Sequence, residues 1–387
     1  MIKTKFISAL FALCILFIIA LAPNAAYAGE ELNQTEYNRI LSGYDLSAFD
    51  ELDDTTTDFL NQLGLLDFNY KDVLDFSFSD VFVLIKNIVF NSVKTPLYGS
   101  AAVIAIILLS ALFQGFRQTV ENGEMSEAVS AVSAVAVSLI LIMKIKFAAS
   151  SAIAAIEVCA NFIYAFFPAF CIIVAASGST VAAFSTNSLL LSMAQALNFI
   201  SQNIFMPLSN CFLALGICSS IRNELNLRAL IKNLKGYLIT AISVCSGIFV
   251  TVLTLKTSVA SRADAIGMRS VRFAINSVVP VIGGAVSEGL LSIQAYSSLI
   301  RSSVGVAGIA AVVMLFLPPV LEIVFWRFFL TLSSSVSDIF GDKSVSDVLS
   351  SFSDALLVMN VVLVLCTVTT VISIGILIAA KGDICSK

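Results

Sequence analysis

Runs of about twenty apolar residues recur along most of this chain, and a run of that length is what an α-helix needs to cross a bilayer. They fall at 97–116, 128–147, 153–175, 181–200, 203–221, 236–256, 303–321 and 355–380. A ninth stretch, 273–297, is interrupted by Pro280, Gly283, Gly284, Glu288 and Gly289. Only 12 % of the 387 residues are charged, 58 % are hydrophobic and the mean hydropathy is +0.96. A soluble domain carries about 25 % charged residues, so this chain lacks the charge to cover a water-facing surface. A soluble enzyme, a disordered protein and a nucleic-acid binder are excluded. The expected architecture is all-α, a polytopic helical membrane protein with about eight to nine membrane segments.

The amino terminus reads as a targeting segment. Lys3 and Lys5 precede an apolar stretch over 6–21, Pro23 breaks it, and Ala26-Tyr27-Ala28 before Gly29 forms a small-residue cleavage pattern. The expected division is a signal peptide over 1–28, an acidic extracytoplasmic segment with an interfacial helix over 29–96, a membrane domain over 97–380 and a short tail over 381–387. An uncleaved first anchor is the other reading of 1–28, and both deliver the next segment outside the cytoplasm. Residues 29–80 hold half of the chain's 26 acids against two bases, Arg39 and Lys71. Leu41, Tyr44, Leu46, Phe49, Leu52, Phe59, Leu60 and Leu63 recur within it at helical spacing. Short amphipathic helices that dock on a partner or on the membrane body are expected.

Charge gives a topology. Counting crossings from outside places 222–235 inside, and its Arg222, Arg228, Lys232 and Lys235 agree with the positive-inside bias. The acid-rich 322–354 loop is expected outside and the tail inside, which requires 273–297 to cross; a re-entrant 273–297 inverts the C-terminal half. Lys144, Lys146 and the basic residues of 256–272 fit this scheme poorly, since they fall at outer ends.

Chemistry-bearing motifs are few. Histidine is absent, which removes the commonest general base and metal ligand. No phosphate-binding glycine loop and no nucleophile elbow occurs. No catalytic, cofactor-binding or metal-binding residues are assigned, and no enzyme activity or cofactor is expected. The eight cysteines lack a C-x-x-C pair, and those in apolar spans read as small buried hydrophobes. Ser130, Ala134 and Ser138, and Gly305 with Gly308, form small-residue faces suited to close helix packing.

The candidate functional stretch is Arg262, Asp264, Gly267, Arg269, Arg272, Asn276, Pro280, Gly283, Gly284 and Glu288. It sets charges and a glycine ahead of an apolar segment broken by proline, glycine and a carboxylate. Broken segments at membrane depth require protein or water to satisfy the freed backbone groups. Glu288 is the sharpest residue, because a carboxylate in lipid needs a partner or an aqueous path; Arg262, Arg269, Arg272 and Arg301 are candidate partners. The stretch reads as a gate, a re-entrant element or a subunit contact, against the plainer reading of a surface loop and a kinked helix.

Ser258-Val259-Ala260, Arg262, Asp264, Gly267, Arg269 and Arg272, continuing through Asn276, Val279-Pro280-Val281-Ile282-Gly283-Gly284 and Val286-Ser287-Glu288-Gly289, resemble the stage III sporulation protein AE family. The rest of the chain resembles it in layout and composition. The resemblance implies a non-enzymatic polytopic subunit of a channel or transport complex in the mother-cell membrane around the forespore, needed for late forespore development. The implied partners are a secretion-like ATPase, ring-forming proteins, small membrane subunits and the lipid membrane, with no nucleic acid. A self-contained secondary transporter of a small metabolite or ion is the alternative that the broken segment and Glu288 raise from the residues alone.

Overall fold

The computed structural model describes residues 34–50, 52, 54–62, 65, 66, 68, 78–117, 123–205, 207, 211, 214, 227–278 and 283–379. The signal peptide over 1–28, the tail over 381–387 and most of the expected 203–221 span lie outside the described residues. Among those described, helices alone form the body: α1 Gln34–Leu41, α2 Asp54–Gln62, α3 Phe78–Arg117, α4 Gly123–Ala176, α5 Thr180–Ile200, α6 Leu227–Val278, α7 Gly283–Ile339 and α8 Lys343–Ala379. A 3-10 turn, Ser47–Phe49, links α1 to α2, and α5 closes in a π turn, Ser201–Phe205.

The helices are longer than hydropathy windows imply. α4, α6 and α7 have 54, 52 and 57 residues, about 80 Å each, against about 30 Å for the hydrocarbon core of a bilayer. Spans expected separately at 128–147 and 153–175 are parts of α4, which continues through Lys144, Lys146 and the alanines that follow. The 273–297 stretch is divided: its first part ends α6 and its second opens α7. Among the described residues, five helices are long and apolar enough to cross a membrane, with apolar stretches at Ile88–Leu112, Val132–Ala176, Asn233–Asp264, Ser292–Ile339 and Lys343–Ala379.

Side-chain contacts fix the directions. Gly305 packs on Ile378, Arg327 Nε donates to the Ser353 carbonyl at 3.2 Å, and Ser334 meets Ser346 at 3.0 Å, so α7 and α8 run antiparallel. Lys235 pairs with Asp354, and Ser246 meets Thr369 at 3.0 Å, so α6 runs parallel to α8. The Lys235–Asp354 pair also puts the start of α6 and the α7–α8 turn at one end of the bundle. The charge reading had separated 222–235 from 322–354 across the membrane by three crossings; with 273–297 divided between α6 and α7, only those two long helices lie between them, and both segments fall at one end.

α7 and α8 form the inner pair, with 72 % and 67 % of their apolar windows buried, against 28 % for α6. A Cβ on Gly308 would lie 2.6 Å from Phe166 Cζ, and one on Gly305 would lie 2.5 Å from Ile378 Cδ1 and 3.0 Å from Phe170 Cζ. The small-residue face on α7 therefore receives α4 and α8 side chains. Ala134 and Ser138 are buried on α4. Cys159, Cys171 and Cys366 are buried as expected of small hydrophobes, whereas Cys211 and Cys245 are exposed.

The acidic segment folds back on this body. Phe49 is buried and meets Phe68, Phe162 and Phe166 edge to face, at centroid distances of 5.0, 5.6 and 5.6 Å. Tyr37 is fully buried and donates its hydroxyl to the Phe68 carbonyl. Asp45 starts the 3-10 turn by accepting from the Ser47 hydroxyl at 2.7 Å and the Ser47 amide at 3.1 Å, which holds its carboxyl below the usual range.

Candidate functional site

Two interhelical turns among the described residues use glycine in the left-handed region. Gly178 has φ +95° and Gly341 has φ +78°, a conformation that costs a Cβ-bearing residue strain. In each, the glycine amide and the next amide bond back to the ending helix: Gly178 to Ala175 and Ser179 to Val174, Gly341 to Asp338 and Asp342 to Ser337. This satisfies the orphan carbonyls of the ending helix. What remains is the set of free amides that opens the following helix.

At the α7–α8 turn the next residue supplies the cap. Asp342 is buried, and its Oδ1 accepts from the Val345 amide at 3.3 Å. The same carboxylate accepts from Ser130 of α4 at 2.5 Å and from Ser110 of α3 at 2.9 Å. Three hydrogen bonds to the charged form make its burial tolerable.

At the α4–α5 turn the cap comes from another helix. Asp264 of α6 is 3 % exposed; its Oδ1 accepts from the Val181 amide at 2.7 Å and its Oδ2 from the Ala182 amide at 2.8 Å. Those amides open α5, so the carboxylate sits on the positive end of that helix's dipole. From the other side, Arg301 of α7, 4 % exposed, donates from Nη1 to Ser177 Oγ at 3.0 Å. Two charged side chains from two helices thus clasp a three-residue turn whose Ser177 and Ser179 are both buried.

The remaining residues of the candidate stretch lie on or past this clasp. Arg262 is exposed two residues before Asp264 on α6, and Gly267 faces open space. Arg269, Arg272 and Asn276 follow on α6, Pro280 lies outside the described residues, and Gly283, Gly284 and Glu288 open α7. Beyond Asp264, α6 continues to Val278, and α7 begins at Gly283 before reaching Arg301. The two run past the α4–α5 turn as an arm of about 20–27 Å at 1.5 Å per residue. The acidic segment lies against the base of that arm, with Tyr44 Oη 3.4 Å from Ser297 Oγ.

The stretch therefore divides into one clasping residue, Asp264, and an arm. Of the candidate partners for Glu288, Arg301 is engaged by the turn. Among the described residues no group of His, Cys, Asp or Glu is disposed to hold a metal ion. An open groove of about 520 Å³ runs beside the clasp between α5 and α6, its lining including Val181, Ser185, Val252, Leu255, Lys256 and Val259. Sequence reasoning counted Asp342 only as an outer-loop acid and Arg301 only as a partner for Glu288; the Gly341-Asp342 pair, a helix stop followed by a helix start, was the local signal for the first.

The family model for stage III sporulation protein AE matches residues 63–381, a range that contains the clasp and the whole arm. Stage III sporulation protein AE of Bacillus subtilis (strain 168) is 24 % identical over 278 residues, which cover 71 % of this chain and 70 % of that protein. No solved structure matches the chain.

Proposed function

The chain belongs to the stage III sporulation protein AE family and is a multi-pass, all-helical membrane protein with a role in sporulation; on that premise we propose that it is the membrane core subunit of a transport or channel complex joining the mother cell to the forespore. It works without catalysis of its own and sits in the mother-cell membrane around the forespore, with its acidic amino-terminal segment outside the cytoplasm. The observation that carries this reading is the family match across 63–381. The clasped bundle serves as a rigid base, and the α6–α7 arm carrying Arg269, Arg272, Asn276, Gly283, Gly284 and Glu288 is the contact or gate that meets the other subunits. A secretion-like ATPase and ring-forming proteins are the proposed partners.

The test is affinity purification of the tagged chain from sporulating cells, with mass spectrometry of what accompanies it. Recovery of the ATPase and ring-forming proteins supports the complex. Recovery of the chain alone, from membranes intact by other markers, overturns it and directs attention to autonomous transport. An Arg269→Ala, Glu288→Ala double variant is expected to lose these partners while remaining in the membrane.

A further inference from the structure

Contacts at the α7–α8 turn give a common origin for heights along the bundle. Ser110 of α3 and Ser130 of α4 both bond the Asp342 carboxylate and so lie at its level. At 1.5 Å per residue, Lys144 and Lys146 on α4 stand about 21 and 24 Å above it, and Tyr98 and Lys94 on α3 about 18 and 24 Å. Asp354 on α8 stands at about 18 Å and fixes Lys235 of α6 at the same height, with Tyr237 about 3 Å further on. Arg327 on α7 falls at about 22 Å. Basic residues from four helices thus share a slab roughly 6 Å deep.

Two of these cations are used internally: Lys235 by Asp354 and the Arg327 Nε by the Ser353 carbonyl. Lys94, Lys144 and Lys146 are exposed, and Lys94 bonds only within its own helix, to Asn91, with its ammonium 4.8 Å over the Phe90 ring. Tyr98 and Tyr237 are each 76 % exposed. Exposed tyrosines among outward lysines at one height are the pattern of a membrane–water interface. On the far side of the slab, α6 presents Val244, Ile248, Val252, Leu255 and Val259 outward. The rise from Lys235 to Asp264 is about 44 Å, matching the roughly 40–45 Å of a bilayer with its headgroups. The acidic segment packs at that far level, against Phe162, Phe166 and Ser297. The slab cuts across the apolar stretch Ile88–Leu112 of α3, and below it α3 and α4 still carry exposed Leu109, Leu112, Val132 and Leu139, so charge and tyrosine mark the slab rather than a change in hydropathy.

We propose that this belt is a binding surface for the phosphate headgroups of acidic phospholipids, on the leaflet opposite the acidic segment. Lys94, Lys144 and Lys146 take the phosphates, and Tyr98 and Tyr237 sit at headgroup depth. The positive-inside bias makes that leaflet the cytoplasmic one. The proposal does not depend on the identity of any protein partner.

The experiment reconstitutes the full chain in nanodiscs and titrates phosphatidylglycerol into a phosphatidylcholine background, reading lipid retained by native mass spectrometry. Wild type is expected to enrich phosphatidylglycerol, and Lys144→Gln with Lys146→Gln to weaken that enrichment by about 25-fold, each membrane-surface lysine supplying about fivefold. Lys256→Gln, exposed on α6 away from the belt, is expected to leave it unchanged. Lys94→Gln, on another helix, gives a second reading with an independent fold. Equal enrichment in the wild type and in both belt variants overturns the proposal, as does retention of phosphatidylcholine to the same degree. Displacement of phosphatidylglycerol by inorganic phosphate alone at equal concentration also overturns it, since the site then reads a free anion.

Discussion

Asp264→Ala removes the carboxylate that opens α5, and the structure sets the size of the loss. Two buried hydrogen bonds to a charged acceptor disappear, at 2.7 and 2.8 Å. Each such bond contributes about 1.5–3 kcal/mol, and the helix-dipole attraction adds about 0.3–1 kcal/mol. Relief of the buried charge's desolvation offsets part of this, since a buried carboxylate carries a penalty of its own. The net expectation is a destabilisation of about 2–4 kcal/mol for Asp264→Ala. Asp264→Asn keeps one acceptor oxygen and turns an NH2 toward the second amide, for a loss of about 1–2 kcal/mol. Equilibrium unfolding of the full chain in mixed detergent–SDS micelles measures both, with Asp58→Ala, exposed on α2, as the control expected within about 0.5 kcal/mol of wild type. A value for Asp264→Ala no larger than that of the control would refute the clasp as a stabilising contact.

Two other contacts give equally direct expectations. Gly308→Ala places a methyl 2.6 Å from Phe166 Cζ and is expected to cost about 1–3 kcal/mol by overpacking; Phe166→Leu on the same chain should recover part of it, and additive losses in that double mutant would contradict the α4–α7 packing. Phe49→Ala empties a buried aromatic position shared with Phe68, Phe162 and Phe166, a change typically worth about 3–5 kcal/mol. The loss should fall on the acidic segment, so limited proteolysis within 34–68 should speed up while the bundle stays protected; unchanged cleavage would mean that the segment is not held by Phe49.

The helical class, the docking of the acidic segment and the small-residue packing faces were legible because each rests on local periodicity. The number of separate helices was not. Hydropathy windows register charges such as Lys144 and Lys146 as span ends, but a helix ends where backbone geometry or capping ends it. Between 147 and 153 the sequence is Phe-Ala-Ala-Ser-Ser-Ala-Ile, with neither glycine nor proline to stop α4. The Pro280–Gly284 break was visible, and a crossing and a re-entrant element both stayed open for 273–297; α6 ends at Val278 and α7 opens at Gly283, so the stretch is not one continuous helix. Asp264 was singled out for its charge, but its contact with the Val181 and Ala182 amides spans more than eighty residues, and no periodicity reaches that far. Asp342 was missed for the opposite reason. Its cap on the Val345 amide is local, but its charge was read only for topology, and its bonds to Ser110 and Ser130 reach more than two hundred residues.

Helices in lipid gain little from apolar contact with one another, so polar contacts and close packing must select one arrangement. In this protein the polar contacts concentrate at the turns. Asp342 ties α3, α4 and the start of α8 at one end, and Asp264 with Arg301 ties α6 and α7 to the α4–α5 turn toward the other. Helices held at both levels form a base that resists sliding. Among the described helices, α6 and α7 continue past the second level, steadied at their root by the acidic segment through Tyr44 and Ser297. The candidate stretch thus changes character at Asp264. Up to that residue, a substitution acts through the stability of the base; beyond it, a substitution acts on what the arm meets. That boundary allows folding effects and partner effects to be separated within a stretch of fewer than thirty residues, since only the first class shifts the unfolding midpoint of the isolated protein.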